Sequence, residues 1–351
     1  MGVIRSVLLL PFTPSFTAPL SLALAFGPSS IRDPLLGLLS NALTEANIER
    51  LIVALKWLTI LGIARKLNAR LNRWALNNWR WTTNTKAWDW EREVVVITGG
   101  CSGIGLSTVK QLLQKRLKVA IFDIQAPPKE IENHPNMQYF YCDVTDRSSI
   151  ATAASQLRVK WGDPSILINN AGIGKPHSII ETPDDFVTKI FTINVISHFW
   201  MVKEFMPAML SKNKGHIVGI ASMASWVAPP GMVDYASTKS AVQAFHEGLN
   251  MEIKHIYKKL GVLNTVVHPS WVRTPLIGGY ESHLEKTQGK LLKPEQIAKK
   301  IVDQIVSCNG GQLFMPGRMS TATRIRGEAN WLQELIRDFA VGSATSSPPA
   351  L

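Results

Sequence analysis

Disulfide and metal chemistry have little to work with in this sequence. Its three cysteines, Cys101, Cys142 and Cys308, are odd in number and far apart, with no CxxC pair and no zinc spacing. A disulfide-stapled scaffold is excluded, and a reducing compartment is the reading. Seven of the eight histidines, His177, His198, His216, His246, His255, His268 and His283, show no ligand spacing, so no metal is expected. Charge is also scarce: 18% of residues are charged against 46% hydrophobic, a balance that excludes disorder and points toward membrane contact. No internal repeat is present, and 351 residues suffice for a sizeable core.

Acidic residues are few where basic ones gather. Residues 1 to 90 hold ten Lys or Arg (Arg5, Arg32, Arg50, Lys56, Arg65, Lys66, Arg70, Arg73, Arg80, Lys86) against four acids. Such a segment suits nucleic acid or an anionic lipid surface. Aliphatic runs interleave with the bases and no reading motif is present, so no nucleic-acid partner is expected.

From Ser6 to Ile31 there is no charged side chain, a length that can span a bilayer. Pro11, Pro14, Pro19 and Pro28 interrupt it, so a re-entrant or interfacial segment competes with a span. A second apolar run, Leu51 to Ala64, continues into Arg65 to Trp81, where Leu67, Leu71 and Trp74 recur at helical spacing beside Lys66, Arg70 and Arg73. That is the pattern of a basic amphipathic helix in a headgroup layer. Six of the eleven tryptophans (Trp57, Trp74, Trp79, Trp81, Trp88, Trp90) fall here, as in an interfacial belt. An extra helical layer on the main domain and a cleaved secretory signal are the alternatives, and residues 1 to 6 also fit a myristoylation pattern.

From Glu93 the pattern alternates between strands and helices. The β-branched run Val94 to Thr98 ends in Gly99-Gly100-Cys101-Ser102-Gly103-Ile104-Gly105, after which Val109, Leu112 and Leu113 mark a helix. Strand, glycine turn and helix start thus stand in the order a dinucleotide site needs. Further strands are read at 119–123, 138–142, 165–169, 216–221, 262–267 and 312–315, separated by stretches of crossover length. The implied fold class is α/β: a Rossmann-type, doubly wound parallel sheet of about seven strands, with an N-terminal membrane-anchor extension. The chain divides into a membrane-associating segment at 1–90, a catalytic domain at 91–317, a C-terminal helical extension at 318–342 and a disordered tail at 343–351. Trp331, Leu335 and Phe339 form one face of the C-terminal helix.

Gly99, Gly103 and Gly105 let the backbone approach a pyrophosphate seated over the next helix's amides. Asp123, eighteen residues beyond Gly105, can accept both ribose hydroxyls and repels a 2′-phosphate. With no Arg or Lys at Ser102, Ile124 or Gln125, NAD is favoured over NADP; a plain strand-end cap is the alternative role for Asp123. Cys101, inside the turn, reads as a small filler rather than a reactive thiol.

Thr98 to Gly105, Asp143-Val144, Asn169-Asn170-Ala171-Gly172, Asn194, Ser222 and Tyr235-Ala236-Ser237-Thr238-Lys239 together resemble the short-chain dehydrogenase/reductase family, over about Glu93 to Pro316. The resemblance implies Tyr235 as general base for alcohol oxidation or acid for carbonyl reduction, and Lys239 as the group that stabilises its phenolate and holds the nicotinamide ribose. Ser222 would hold the substrate oxygen, Ser225 being the weaker choice, and Asn194 would support a water-linked proton path to the lysine. It further implies Ser102 and Ile104 at the pyrophosphate, Asp143 and Val144 at the adenine, and Asn170, Ala171 and Gly172 on the adenosine side. Val272 and Thr274 would meet the nicotinamide carboxamide, although Ser270 stands where the family usually has glycine. A homodimer through the helices carrying Asn194 and Tyr235 is implied as well.

The segment Leu276 to Leu292 lies where the family builds its substrate lid, and Trp226 and Trp271 are placed to line the cleft. The anchor, the segment Gly219 to Ser222 and the acidic Asp123 resemble the membrane-bound branch of retinol dehydrogenases and lipid-droplet 17β-hydroxysteroid dehydrogenases. The expectation is a membrane-associated, NAD-dependent oxidoreductase for a lipophilic alcohol or ketone. It would sit on endoplasmic reticulum or lipid droplets with its catalytic domain facing the cytosol. An NADP-dependent ketone reductase and a catalytically silent lipid-surface scaffold are the alternatives.

Overall fold

The computed structural model describes residues 14–80 and 83–341. The myristoylation pattern, the start of the first apolar stretch, Trp81, the tail at 343–351 and the side chain of Phe339 lie outside the described residues.

The chain forms two compact units, Met1–Ala75 and Leu76–Leu351. In the first, α1 (Pro14–Phe26) runs through Pro19, α2 (Ser29–Ser40) follows a break at Gly27-Pro28, and α3 (Glu45–Leu76) continues for 32 residues. Ile48, Leu55 and Gly62 recur every seven residues along the buried side of α3. Val53, Trp57, Ile60 and Leu67 are more than half exposed on it. Among the described residues no helix is long and apolar enough to cross a membrane. The expected continuation of α3 to Trp81 is not seen: Asn78 and Trp79 take left-handed φ of 58° and 57°, a conformation asparagine tolerates at a helix end. Two of the six clustered tryptophans also leave the expected interfacial belt. Trp88 and Trp90 stack with centroids 5.4 Å apart and pack into the core of the second unit.

The second unit is built on seven parallel strands, β1 (Val94–Thr98), β2 (Lys118–Asp123), β3 (Met137–Tyr141), β4 (Ile166–Asn169), β5 (Gly215–Ile220), β6 (Val262–Pro269) and β7 (Gly311–Met315). Their spatial order is β3-β2-β1-β4-β5-β6-β7, so the chain reverses its direction of winding between β1 and β4. The helices between them are α4 (Gly103–Gln114), α5 (Lys129–Glu132), α6 (Arg147–Trp161), α7 (Asp184–Phe191), α8 (Ser197–Lys212), α9 (Val233–His255), α10 (Glu281–Gln288) and α11 (Pro294–Val306). One sheet face packs Val95, Ile97 and Ile121 with residues of α4 and α11; the other packs Val96, Phe122 and Leu167 with residues of α6, α8 and α9. A sheet covered on both faces needs apolar residues at every strand position, and all five residues of β1 are buried. After β7 come a run of 3-10 turns, Gly317–Gly327, and α12 (Asn330–Val341).

Two local features position side chains. Between α7 and α8 the chain makes a π-helical turn, Thr192–Ile196, with buried Asn194 at its centre. The segment expected to form a lid holds a 3-10 turn at Pro275–Ile277 and α10, packed through Ile277, Leu284 and Leu291 against Trp271.

Candidate active site

Parallel strands end on one edge of the sheet, and the loops that leave β1 to β6 there carry the candidate residues. Thr98 closes β1, and its Oγ1 accepts hydrogen bonds from the amides of Asn170 and Ala171, each 3.0 Å. Asn170 Nδ2 donates in return to the carbonyls of Thr98 (3.0 Å) and Gly99 (2.9 Å), so the loop after β4 braces the glycine turn after β1. Gly99 has φ +64°. A Cβ on Gly105 would lie 2.0 Å from the Gly99 carbonyl oxygen, so the turn closes only with glycine there. The turn leads from Ser102 into the first amides of α4, where Gly103 and Ile104 open the helix.

Asp123, at the end of β2, accepts the amide of Cys101 at 2.9 Å and that of Gln125 at 3.0 Å. It therefore acts as a strand-end cap, and the remaining lone pairs of its half-buried carboxylate leave acceptor capacity for hydroxyl groups. Burial, reinforced by Asp123, pushes the Cys101 thiol up to about 12. A neutral, buried thiol fits a filler role. Asp143 Oδ1 accepts from the amide (2.8 Å) and hydroxyl (2.7 Å) of Thr145, fixing the turn that buries Val144.

The second cluster lies where β4, β5 and α9 meet. Ser222 follows β5, its Oγ accepts the Ala224 amide at 3.1 Å, and its hydroxyl faces the Tyr235 phenol. Ser225 is fully buried and donates to the Lys239 carbonyl at 2.7 Å, which makes it a brace and leaves Ser222 as the serine beside Tyr235. Tyr235 and Lys239, one helical turn apart, share a face of α9, with Lys239 Nζ 5.5 Å from the phenol ring centroid. Burial pushes the phenol up to about 12, against a smaller pull downward from the Ser222 hydroxyl. Burial also pushes the Lys239 ammonium down to about 8, while Nζ donates to the Ile220 carbonyl at 2.8 Å.

Asn194 completes the cluster. Its Oδ1 accepts the Ile173 amide at 2.9 Å, and its Nδ2 donates to the Ile173 carbonyl (2.9 Å) and Thr238 Oγ1 (3.1 Å). The side chain thus fastens the loop after β4 to α9. A Cβ on Gly172 would lie 3.3 Å from Asn194 Oδ1 and 3.5 Å from Lys239 Nζ, so this loop passes directly over both groups. Gly174, not singled out from the sequence, lies against the Tyr235 ring, where an added Cβ would sit 2.8 Å from Cδ2. Its only signal was its place two residues after Gly172.

The segment after β6 closes the site. Ser270 is not among the residues in the left-handed region, so its replacement of glycine introduces no backbone strain there, and its amide donates to the Met315 carbonyl at 2.8 Å. Val272 is buried and pairs with Leu292, while Thr274 lies against the glycine turn, its Cγ2 3.3 Å from where a Gly103 Cβ would be. Trp226 packs on His268 at 5.9 Å, and His268 stacks on Phe314 at 5.0 Å. His268 Nδ1 lies 3.2 Å from the Ser222 carbonyl oxygen, so this histidine, read from sequence only as a non-ligand, supports Ser222 from behind.

Residues 93–284 match the model of a family described as short chain dehydrogenase. Dehydrogenase RED2 of Cochliobolus heterostrophus is 35% identical over 240 residues, covering 68% of this chain and 88% of that protein. Human estradiol 17-beta-dehydrogenase 11 is 31% identical over 239 residues, 66% of this chain and 78% of that one. Among solved structures, the 3-ketoacyl-(acyl-carrier-protein) reductase of Brucella melitensis, complexed with NADH, superposes with a TM-score of 0.56 at 23% identity, over 63% of this chain and 96% of its own.

Proposed function

The chain belongs to the short-chain dehydrogenase family, whose members are oxidoreductases, and from that premise we propose that it interconverts a lipophilic alcohol and its carbonyl with NAD, at a membrane or lipid-droplet surface. The observation that carries the reading is the convergence of Ser222, Tyr235 and Lys239 on the sheet edge that also holds the glycine turn and Asp123. The cradle left by Gly99 and Gly105 fits a pyrophosphate, and the carboxylate of Asp123 fits an unphosphorylated ribose. Ser102, Gly103 and Ile104 would hold the pyrophosphate, Asp143 and Val144 the adenine, Asn170, Ala171 and Gly172 the adenosine side, and Val272 and Thr274 the carboxamide. When bound, the nicotinamide supplies the hydride-accepting chemistry.

The chain's own residues do the rest. Ser222 orients the substrate oxygen by hydrogen bonding. Tyr235 takes the hydroxyl proton during oxidation and returns it during reduction. Lys239, held at about 8, carries positive charge at neutral pH and favours the phenolate. Asn194 positions Lys239 and Tyr235 through Thr238 and the Ile173 loop. The steroid name carried by a relative 31% identical supports a hydrophobic substrate. The exposed Phe199 and Met251, on α8 and α9, support a homodimer through those helices.

The deciding experiment is nicotinamide reduction by detergent-solubilised protein with steroid, retinol and long-chain alcohols, with NAD and NADP in parallel. Turnover with NAD is expected; protein that binds NAD and turns over none of these alcohols would instead favour the scaffold reading. Asp123→Ala is expected to lower the preference for NAD over NADP by at least about tenfold, the worth of a charge-assisted hydrogen bond, measured as the ratio of kcat/KM values. An unchanged ratio removes Asp123 from the ribose. Removal of residues 1–75 is expected to release the protein from flotation with membranes, and a truncated protein that still floats assigns attachment to the second unit.

A further inference from the structure

Catalysis by Ser222, Tyr235 and Lys239 leaves a group of buried polar side chains unused. Asn169 ends β4 in register with Gly219 of β5, on the sheet face where Leu167 packs with residues of α8 and α9. It is 2% exposed, and neither its amide nitrogen nor its oxygen has a hydrogen-bond partner among the described residues. Beside it, His246 of α9 fills the space a side chain at Gly219 would take: an added Cβ there would lie 1.9 Å from His246 Nε2. Asn264 fixes which nitrogen of that ring carries the hydrogen. Its Nδ2 donates to the His246 carbonyl and its Oδ1 accepts from His246 Nδ1, each at 2.6 Å. Nε2 is therefore a lone pair without a donor. His198, one turn beyond Asn194, stands at right angles to His246 with ring centroids 6.0 Å apart, and its Nδ1 is unpartnered as well. Burial pushes His198 well below its usual range, with His246 and the Lys239 ammonium pushing the same way, and burial pushes His246 down to about 4. Both imidazoles are thus neutral at pH 7 and present lone pairs rather than charge.

Around Lys239 stand Tyr235 from its own helix, His198 from α8, Asn194 from the π-helical turn and the Ile220 carbonyl from β5. The loop after β4 brings only backbone at Gly172, and none of the described ion pairs involves Lys239. Orphaned buried polar atoms destabilise a fold, so a cluster of them marks a bound group. Water suits this cluster, because an amide and two imidazoles supply the two to four polar partners that internal water needs. A cation is disfavoured by the ammonium alongside, and the described residues hold no group of three or more metal-ligating side chains. Asn169, His198, Lys239 and His246 are each no more than 4% exposed, which excludes a larger anion. We propose that Asn169, His198 and His246 hold internal water between β4, β5, α8 and α9, and that this polar floor keeps the buried Lys239 charged beside Tyr235. The three are then positioning residues that act through the lysine. The proposal rests on the roles given to Tyr235 and Lys239 above and adds what solvates that charge where bulk water does not reach.

A crystal structure of the full chain is expected to show ordered water within hydrogen-bond distance of Asn169 and His246; a dry site overturns the proposal. His198→Leu removes lone pairs from the floor, so Lys239 gives up its proton at lower pH and the phenol loses its cation. The limb of kcat/KM for alcohol oxidation that rises with pH is then expected to move upward by about one unit, the usual scatter that surroundings impose on a side chain. His198→Asn keeps a polar group there and is expected to restore the parent's limb. A limb that stays in place in His198→Leu, or moves equally in His198→Asn, overturns the proposal. Should His198→Leu not fold, Asn169→Leu, which removes the amide at nearly constant shape, is read in the same way. A second readout needs no turnover. The stability deficit of the parent against Lys239→Met is expected to stop growing below about pH 8, and that of His198→Leu against its own Lys239→Met partner only at a lower pH. A breakpoint left at about 8 overturns the proposal. A lowered breakpoint in protein that turns over no alcohol upholds the solvation of Lys239 and removes the oxidoreductase reading instead.

Discussion

Tyr235→Phe is expected to reduce turnover by about 10²- to 10⁴-fold, the worth of a positioned acid or base, while NAD binding, followed by fluorescence titration, stays within about twofold of the parent. The phenylalanine keeps the ring against Gly174 and removes only the hydroxyl facing Ser222. Fold and cofactor cradle are therefore preserved, because the cradle is built by Thr98, Gly99, Gly105 and Asn170, none of which bonds to the phenol. Retained turnover would take the proton-transfer role away from Tyr235. A phenol pushed up to about 12 by burial is fully protonated at neutral pH. That is the form a carbonyl reduction needs, and oxidation requires positive charge close by to draw the proton off.

The sheet was legible in sequence because its strands are buried on both faces and so read as unbroken β-branched runs, as in Val94-Val95-Val96-Ile97-Thr98. The glycine turn was legible for a steric reason: no side chain fits beneath the Gly99 carbonyl, so the motif carries its own geometry. Which of Ser222 and Ser225 faces Tyr235 depends on which hydroxyl is buried against the Lys239 carbonyl, a contact fourteen residues away in sequence, and spacing only inclined toward Ser222. The π-helical turn at Thr192–Ile196 has no compositional mark, since its residues would equally well continue an α-helix. Trp88 and Trp90 misled because aromatic residues beside bases look alike whether they face lipid or core; Lys214 Nζ lies 4.9 Å from the Trp88 ring and satisfies the same cation–π preference inside the protein.

Lys239→Met should lower turnover at neutral pH without weakening the fold. With its Nζ 5.5 Å from the phenol ring centroid, the ammonium favours the phenolate, and an opposite charge that close shifts a pKa by about one to three units. Removing that charge raises the phenol's pKa, so the limb of kcat/KM for alcohol oxidation that rises with pH is expected to move upward by about one to three units, by that same interaction. A limb that stays in place would show that Lys239 acts on something other than the phenol. Stability has the opposite sign. Folding lowers the lysine from 10.5 to about 8, so between those values the unfolded chain binds more protons and stability rises with pH. Below about pH 8 the parent carries the full cost of a buried ammonium, and the methionine variant does not. The hydrogen bond to the Ile220 carbonyl offsets part of that cost. The thermal midpoint of Lys239→Met at about pH 7 is therefore expected to be no lower than the parent's, and its advantage to shrink as pH approaches 10.5. A lysine that costs the fold stability at neutral pH, yet is buried one turn from Tyr235, would be accounted for by the proposed charge it brings to the phenol.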